Sequence, residues 1–185
     1  MNTVNIQYTR LTGEFFRRDV LEVAPDLLGK YLVRIFPDGS IRRFMISETE
    51  AYRGTDDLAC HASKGMTPRT EVMFRNGGLV YVYLIYGMYW MLNFVTGHEG
   101  EASAVLIRGI EDISGPGRTG RILQLDKSFY GENLETSPRI WVEEYHPDPA
   151  EYTTHPRVGI AYAGEPWVSQ PWRFKLSLPP GNAEG

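Results

Sequence analysis

Two glutamates, Glu48 and Glu50 in Ile46-Ser47-Glu48-Thr49-Glu50-Ala51-Tyr52, have the residue type and spacing for acid–base chemistry. If this segment is a strand, its alternation puts both carboxylates on one face, about 7 Å apart, and Ser47 and Thr49 on the other. On an exposed face they are a solvated pair. On a buried one the like charges raise one pKa, and the pair becomes a candidate for proton transfer. A separation of about 7 Å also lies in the range used by inverting glycosidases. Arg108 closes the apolar run Ala104-Val105-Leu106-Ile107. A guanidinium there needs a partner, and a carboxylate such as Glu50 is the natural one, although a plain structural salt bridge would explain it equally well.

Between these groups lies a loop, residues 53–78, rich in Gly, Thr, Asp and Arg, with room for one turn of helix. Loops of that length in a compact domain usually have a task. It carries His61, and a lone histidine is more often structural than catalytic. Lys64, Arg69 and Arg75 make it a plausible phosphate contact. Further on, Ser114-Gly115-Pro116-Gly117-Arg118-Thr119-Gly120-Arg121 is too glycine-rich for the interior of an element. Its amides, with Arg118 and Arg121, could hold an anion at a helix start, but it lacks the spacing of a P-loop.

The element that would organise these residues is Leu79 to Val95, which holds four of the eleven tyrosines and no charge. Its apolar length approaches that of a membrane span, yet tyrosines spread along the whole run are wrong for a lipid-facing helix. The better reading is two strands, Leu79 to Leu84 and Tyr89 to Val95, turning at Ile85-Tyr86-Gly87-Met88 with Tyr86 at the tip. Alternation sends Tyr81 and Tyr83 to one face and Val80, Val82 and Leu84 to a core face. A second hairpin, Lys30 to Phe36 and Arg42 to Glu50, turns at Pro37-Asp38-Gly39-Ser40. Upstream, residues 14–33 open with helical spacing broken at Pro25, with Asp26 as a possible cap and Gly29 as a stop, while residues 1–12 read as an unanchored lead-in. Residues 132–155 read as an acidic, proline-containing, solvated periphery around one strand, Arg139 to Val142. A short strand is expected between Pro156-Arg157-Val158-Gly159-Ile160 and Ala163-Gly164-Glu165, a final one at Trp172 to Leu176, and fraying from Pro179 onward.

With 185 residues and 42% hydrophobic composition the chain suits one domain with a single core. The one cysteine, Cys60, suggests a reducing compartment; no Cys/His group has zinc spacing, and the N-terminus lacks an export signal, so a cytoplasmic protein is expected. The net charge of −4 counts against nucleic acid at first sight. Residues 1–131, however, hold 15 basic against 15 acidic residues, and residues 132–185 hold 4 against 8, so the acidity belongs to the C-terminal third.

Taken together, Glu48-Thr49-Glu50-Ala51-Tyr52, His61, Thr67-Pro68-Arg69, the run from Tyr81 to Asn93, Val105-Leu106-Ile107-Arg108, Ser114-Gly115-Pro116, Pro156-Arg157-Val158-Gly159-Ile160 and Ala163-Gly164-Glu165 resemble, in order, the alkyladenine (methylpurine) DNA glycosylases. The resemblance spans about residues 11 to 176. It implies an α+β fold: a single mixed domain around a curved antiparallel β-sheet with a protruding β-hairpin, like the C-terminal domain of formyltransferases, with residues 1–10 and 177–185 peripheral. It implies a monofunctional enzyme of base excision repair that flips an alkylated or deaminated purine out of double-stranded DNA and hydrolyses its glycosidic bond. Carried over, Glu50 is the general base, with Arg108 and the backbone carbonyl of Val158 helping to place the water. Tyr52, His61 and Tyr83 stack on the flipped base, and the backbone of Ala59 and His61 reads its edge. Asn93 excludes bases with a guanine-like amino group, and Tyr86 fills the gap in the duplex. No cofactor, metal or membrane is called for, and a monomer is expected. No lysine lies in these motifs, which argues against a lyase step.

The chain departs from that family in lacking a helical insertion between Ile110 and Ser114, in having Arg118 and Thr119 where relatives usually carry lysine and leucine, in Gly120, which weakens the expected helix, and in Cys60 beside the pocket histidine. Two rivals remain at this point: a carbohydrate glycosidase using Glu48 and Glu50, and a nucleic-acid-binding module of the same fold without catalysis.

Overall fold

The computed structural model of the protein describes residues 8–144 and 150–177. Ten strands form one antiparallel sheet among them: β1 (Thr9–Arg10), β2 (Tyr31–Ile35), β3 (Ile41–Tyr52), β4 (Val80–Ile85), β5 (Tyr89–Thr96), β6 (Ser103–Ile110), β7 (Ile113–Ser114), β8 (Ile140–Glu144), β9 (Tyr152–His155) and β10 (Arg173–Leu176). Three short helices accompany them, α1 (Gly13–Phe16), α2 (Val20–Asp26) and α3 (Pro116–Ile122). The main path runs β1-β8-β2-β3-β6-β5-β4; β10 pairs with β3 and β9, and β7 with β6. This is a single mixed α+β domain with a large open antiparallel sheet and few helices. No described helix is long and apolar enough to cross a membrane.

β3 is the spine. Its first half pairs with β2, its second half with β6 on one edge and β10 on the other. The β3–β6 ladder is irregular where the glutamates sit: Ile46 faces Ile110, Glu48 faces Gly109 and Thr49 faces Ile107, so Ser47 on one strand and Arg108 on the other have no opposite. Bulges of this kind re-aim side chains. Gly109 makes the crowding possible, because a Cβ there would lie 3.1 Å from the Ser47 Oγ, the Glu48 Cβ and the Ile113 carbonyl oxygen. On the reverse face of β3, Thr49 donates to the Ala24 carbonyl at 2.8 Å, and α1 and α2 cover a core that includes Phe16, Val23, Leu32, Phe44, Phe94 and Ile107.

Both expected hairpins form. Several other expectations are corrected. The helical segment breaks before Asp19, not at Pro25: Asp19 caps α2 by accepting from the Leu21 amide, and Pro25 is accommodated inside the last turn. Residues 9–12 are tied down, since β1 pairs with β8 and the Arg10 guanidinium donates to the Leu134 and Ser137 carbonyls. Residues 132–144 are no periphery, for Ile140 and Val142 are buried in the core and β8 lies between β1 and β2. Their acidity is absorbed by pairs such as Glu132 with Arg139 and Glu143 with Arg43. Residues 156–165 hold a short 3-10 turn, Ala161–Ala163, where a strand was expected, because β10 has already taken β9 as its neighbour. Leu84 is 43% exposed, not core, since the hairpin has left the sheet's packed face by that point. The expected fraying from Pro179 lies outside the described residues.

The glycine-rich segment is itself the helix α3, not a lead-in to one. A Cβ at Gly120 would sit 1.9 Å from the Trp90 carbonyl oxygen, and one at Gly117 3.0 Å from the Tyr89 ring. The glycines let α3 lie directly on the backbone of β5, and that contact outweighs their poor helix propensity.

Candidate active site

Glu50 is fully buried, in the stretch of β3 held by hydrogen-bonded strands on both edges. Its Oε1 accepts from the Val158 amide at 2.9 Å and lies 3.5 Å from an Arg108 guanidinium nitrogen. Its Oε2 accepts from the Tyr52 hydroxyl at 2.8 Å. Burial pushes the Glu50 carboxyl upward from its ordinary value, opposed by Arg108, the Val158 amide and the Tyr52 hydroxyl. These donors favour the ionised form that burial disfavours, and a carboxylate under such opposing influences suits a general base.

Glu48 has a different situation. Its Oε1 meets Arg108 at 3.2 Å and Arg173 at 2.8 Å, and its Oε2 accepts from Ser114 at 3.0 Å. Both oxygens are engaged, and Glu48 is not part of the cavity wall that includes Glu50. The two carboxylates therefore do not form a pair facing a shared substrate. The partner of Arg108 is Glu48 as well as the expected Glu50, so the arginine links the two.

The cavity has a volume of about 140 Å³ and is walled by Glu50, Tyr52, Ala59, His61, Tyr83, Asn93, Arg108 and Val158, all singled out in the sequence, together with residues such as Tyr81, Met91 and Tyr162. β3 brings Glu50 and Tyr52, β6 brings Arg108, the hairpin brings Tyr81, Tyr83 and Asn93, and the loops around His61 and Val158 close the sides. His61 meets the Tyr83 ring edge-to-face at 4.6 Å between centroids, and its Nδ1 is hydrogen-bonded to the Tyr81 hydroxyl at 2.9 Å. Burial, with Arg69 and Lys64 adding to it, pushes His61 down to about 4, so the ring is neutral near pH 7. Burial likewise pushes the Tyr81 hydroxyl up to about 12 and those of Tyr52 and Tyr83 upward, which keeps all three phenols protonated. Asn93 is held rigidly, its Nδ2 donating to the Tyr81 carbonyl at 3.1 Å. Cys60, next to the histidine in the chain, is buried, its thiol pushed up to about 12 by that burial, which makes it packing rather than a nucleophile.

The backbone groups divide less neatly. The Ala59 amide donates to Asp57 and its carbonyl accepts from the Tyr162 hydroxyl, whereas the His61 amide makes no hydrogen bond among the described residues. For Val158 it is the amide that contacts Glu50.

At the hairpin tip Tyr86 is 82% exposed. Tyr86 (φ 52°) and Gly87 (φ 68°) are both left-handed, and the Met88 amide closes the turn onto the Ile85 carbonyl at 3.2 Å. Both central φ values being positive is the primed-turn signature that suits a hairpin. Asparagine or glycine is usual there, and a tyrosine costs about 1–2 kcal/mol in that conformation, a conflict that points to a functional demand at the tip. Of the expected phosphate contacts, Lys64, Arg118 and Arg121 are exposed. Arg69 lies over the Tyr83 ring at 5.0 Å, and Arg75 is paired with Glu71 at 2.6 Å.

Sequence reasoning missed Tyr162, the clamp on Glu48 formed by Ser114 and Arg173, and a buried ion pair of Asp57 with Arg157. A signal for the last existed in Arg157 lying directly before Val158, but only the fold could supply its partner.

The sequence matches the family model of methylpurine-DNA glycosylase over residues 14–114 and 111–180. It is 44% identical over 184 residues to a protein of Methanocella arvoryzae provisionally named a 3-methyladenine DNA glycosylase, covering 89% of this chain and 90% of that one. Proteins with the same provisional name from Legionella pneumophila strain Lens (43% over 175 residues, 90% and 94% covered) and Anaeromyxobacter sp. Fw109-5 (44% over 182 residues, 94% and 91% covered) are similarly close.

Proposed function

The chain belongs to the methylpurine-DNA glycosylase family, and from that membership we propose that it is a monofunctional DNA-3-methyladenine glycosylase that extrudes a damaged purine from double-stranded DNA and hydrolyses its N-glycosidic bond, leaving an abasic site. The observation that carries this reading is a single buried carboxylate, Glu50, at the wall of a tyrosine- and histidine-lined cavity, in the same domain as an exposed Tyr86 on a tight hairpin.

In this mechanism Tyr86 enters the duplex and restacks the neighbours of the extruded nucleotide, which offsets part of the few kcal/mol that unstacking costs. The base stacks among Tyr52, His61 and Tyr83. Stacking on aromatics contributes about 1–3 kcal/mol per base and tolerates many bases, which fits a broad purine range including hypoxanthine and ethenoadenine. The backbone at Ala59 and His61 reads the base edge, the His61 amide having its donor capacity to offer. Asn93, rigidly held, refuses an extra amino group by steric exclusion. Glu50 takes a proton from the attacking water, with the Val158 carbonyl and Arg108 helping to place it, and its charge stabilises the cationic sugar as the bond breaks. Lys64, Arg69, Arg118 and Arg121 contact phosphates, with Arg75 contributing once released from Glu71. The same reading takes the protein as a cytoplasmic monomer with the curved, formyltransferase-like sheet of its family.

The geometry at Glu48 speaks against a sugar glycosidase, because its two oxygens are already bound by Arg108, Arg173 and Ser114. The polar contacts of Glu50 speak against a purely binding module. The test is single-turnover incubation of wild type and Glu50→Gln with duplexes carrying hypoxanthine, ethenoadenine or a methylated purine, followed by hot alkali. Alkali-dependent cleavage by wild type alone, with lesion binding retained in Glu50→Gln, is expected. Equal loss of binding and excision would make Glu50 structural, strand cleavage without alkali would mean a lyase, and no excision on any lesion would refute the enzyme.

A further inference from the structure

Asp57 and Arg157 are fully buried and outside the cavity wall. The Arg157 Nη1 donates to Asp57 Oδ2 at 2.5 Å and to the Ala51 carbonyl at 3.0 Å, and Nη2 donates to Asp57 Oδ1 at 2.9 Å. The guanidinium lies between two rings, 4.8 Å from the Tyr52 centroid and 5.0 Å from that of Trp172. Asp57 also accepts from the amides of Arg53 and Ala59, at 3.1 and 3.0 Å. One ion pair thus grips β3 beside Glu50, the ring of Tyr52, the loop leading to His61 and the residue before Val158.

A buried ion pair is a poor device for stability, because apolar replacements of similar volume are often as stable. This one even leaves the Arg157 Nε buried without a partner among the described residues. What it supplies is angular fixation of everything it touches. We infer that Asp57 and Arg157 are a positioning pair that holds the Val158 amide and the Tyr52 hydroxyl on the two oxygens of Glu50, and so gives the carboxylate one orientation. This rests on the assignment of Glu50 as the base. Without the pair, the Val158 amide and the Tyr52 hydroxyl drift and Glu50 protonates more readily.

The groups facing Glu50 are Arg108 from β6, Glu48 and Tyr52 from its own strand, Tyr83 from β4 and the Val158 amide; Arg173 from β10 is held by Glu48. None of the side chains is altered in Arg157→Lys, which keeps the charge but loses the fork, or in Asp57→Asn, which keeps the volume. Single-turnover excision of hypoxanthine between pH 5 and 9 is measured for both, with the carboxyl titration of Glu50 followed by ¹³C NMR and assigned through Glu50→Gln. Losing one hydrogen bond to a charged group is expected to move the rising limb and the carboxyl titration up by about one pH unit, slowing excision roughly tenfold on that limb. Lesion-duplex affinity is expected to stay within about threefold of wild type, less than half a power of ten. A uniform slowing with the titration unmoved, or loss of the fold in both variants, would make the pair a structural brace and overturn the proposal. If wild type excises nothing, the glycosylase assignment fails and the carboxyl titration alone decides the pair.

Discussion

Gly120→Ala sets two physical effects of opposite sign against each other. In an unencumbered helix the change stabilises by about 1 kcal/mol, since alanine outranks glycine by that much. Here the new Cβ would stand 1.9 Å from the Trp90 carbonyl oxygen and 3.0 Å from its carbon. The obstacle is backbone inside a paired strand and cannot swing aside, so the cost falls at the upper end of overpacking, about 3 kcal/mol. The net is a loss of about 2 kcal/mol, or roughly 4–8 °C in melting temperature for a chain of this size. Thermal unfolding followed by circular dichroism reads it. Gly117→Ala is the internal control: its Cβ would meet Tyr89 side-chain atoms at 3.0 and 3.1 Å, and a side chain can give by the few tenths of an ångström needed where a paired backbone cannot, so its change should stay within about 1 kcal/mol. Because β5 is one arm of the tyrosine hairpin, Gly120→Ala should also weaken lesion-duplex binding. A melting temperature equal to or above wild type would refute the claim that close approach, not propensity, selects this glycine.

Tyr86→Ala should weaken lesion-duplex binding by about tenfold, taking the wedge as a stacking contact at about 1–3 kcal/mol, and slow excision of well-paired lesions most. Equal effects on single-stranded and duplex substrates would dismiss the wedge. His61 makes a prediction about stability. Its folded pKa of about 4 lies below the unfolded value of 6.5, so its contribution is whole above pH 6.5 and is lost as pH falls toward 4. Urea midpoints between pH 7 and 4 should therefore fall more steeply for wild type than for His61→Asn, and parallel curves would show that the ring titrates normally.

The parts of this fold that rest on local chemistry are readable in the sequence. Asp38-Gly39 and Tyr86-Gly87 punctuate alternating runs, and both hairpins form where alternation puts them. Glu48 and Glu50 both reach Arg108, as alternation along a strand leads one to expect, and the resemblance carried by short ordered motifs named residues that the fold brings to one cavity. What stays hidden depends on partners distant in sequence. Gly120 reads as a helix breaker until the Trp90 carbonyl is placed against it. Residues around Ile140 read as solvated because Glu143 and Glu144 find their bases, Arg43 and Lys30, only across the sheet. Arg157 and Asp57 are a hundred positions apart, and no periodicity joins them. Glu48 and Glu50 are alike in the sequence, and only the arrival of Arg173 and Ser114 separates a bound carboxylate from one that faces the cavity.

The paired irregularity between β3 and β6 has a consequence for how this site tolerates change. The residue left without an opposite at Ser47 is answered by another at Arg108, and beyond Thr49 the strands resume the alignment they had at Ile46. Since a net slip of one residue would turn every later side chain of the strand to the wrong face, a lone bulge would have carried its disturbance outward into the core. Two that cancel confine it. Glu48, Glu50 and Arg108 can be re-aimed within a window of a few residues while the remainder of the sheet keeps its alignment, so a substitution there is a local event, whereas an unanswered insertion or deletion in either strand would be felt across the whole ladder.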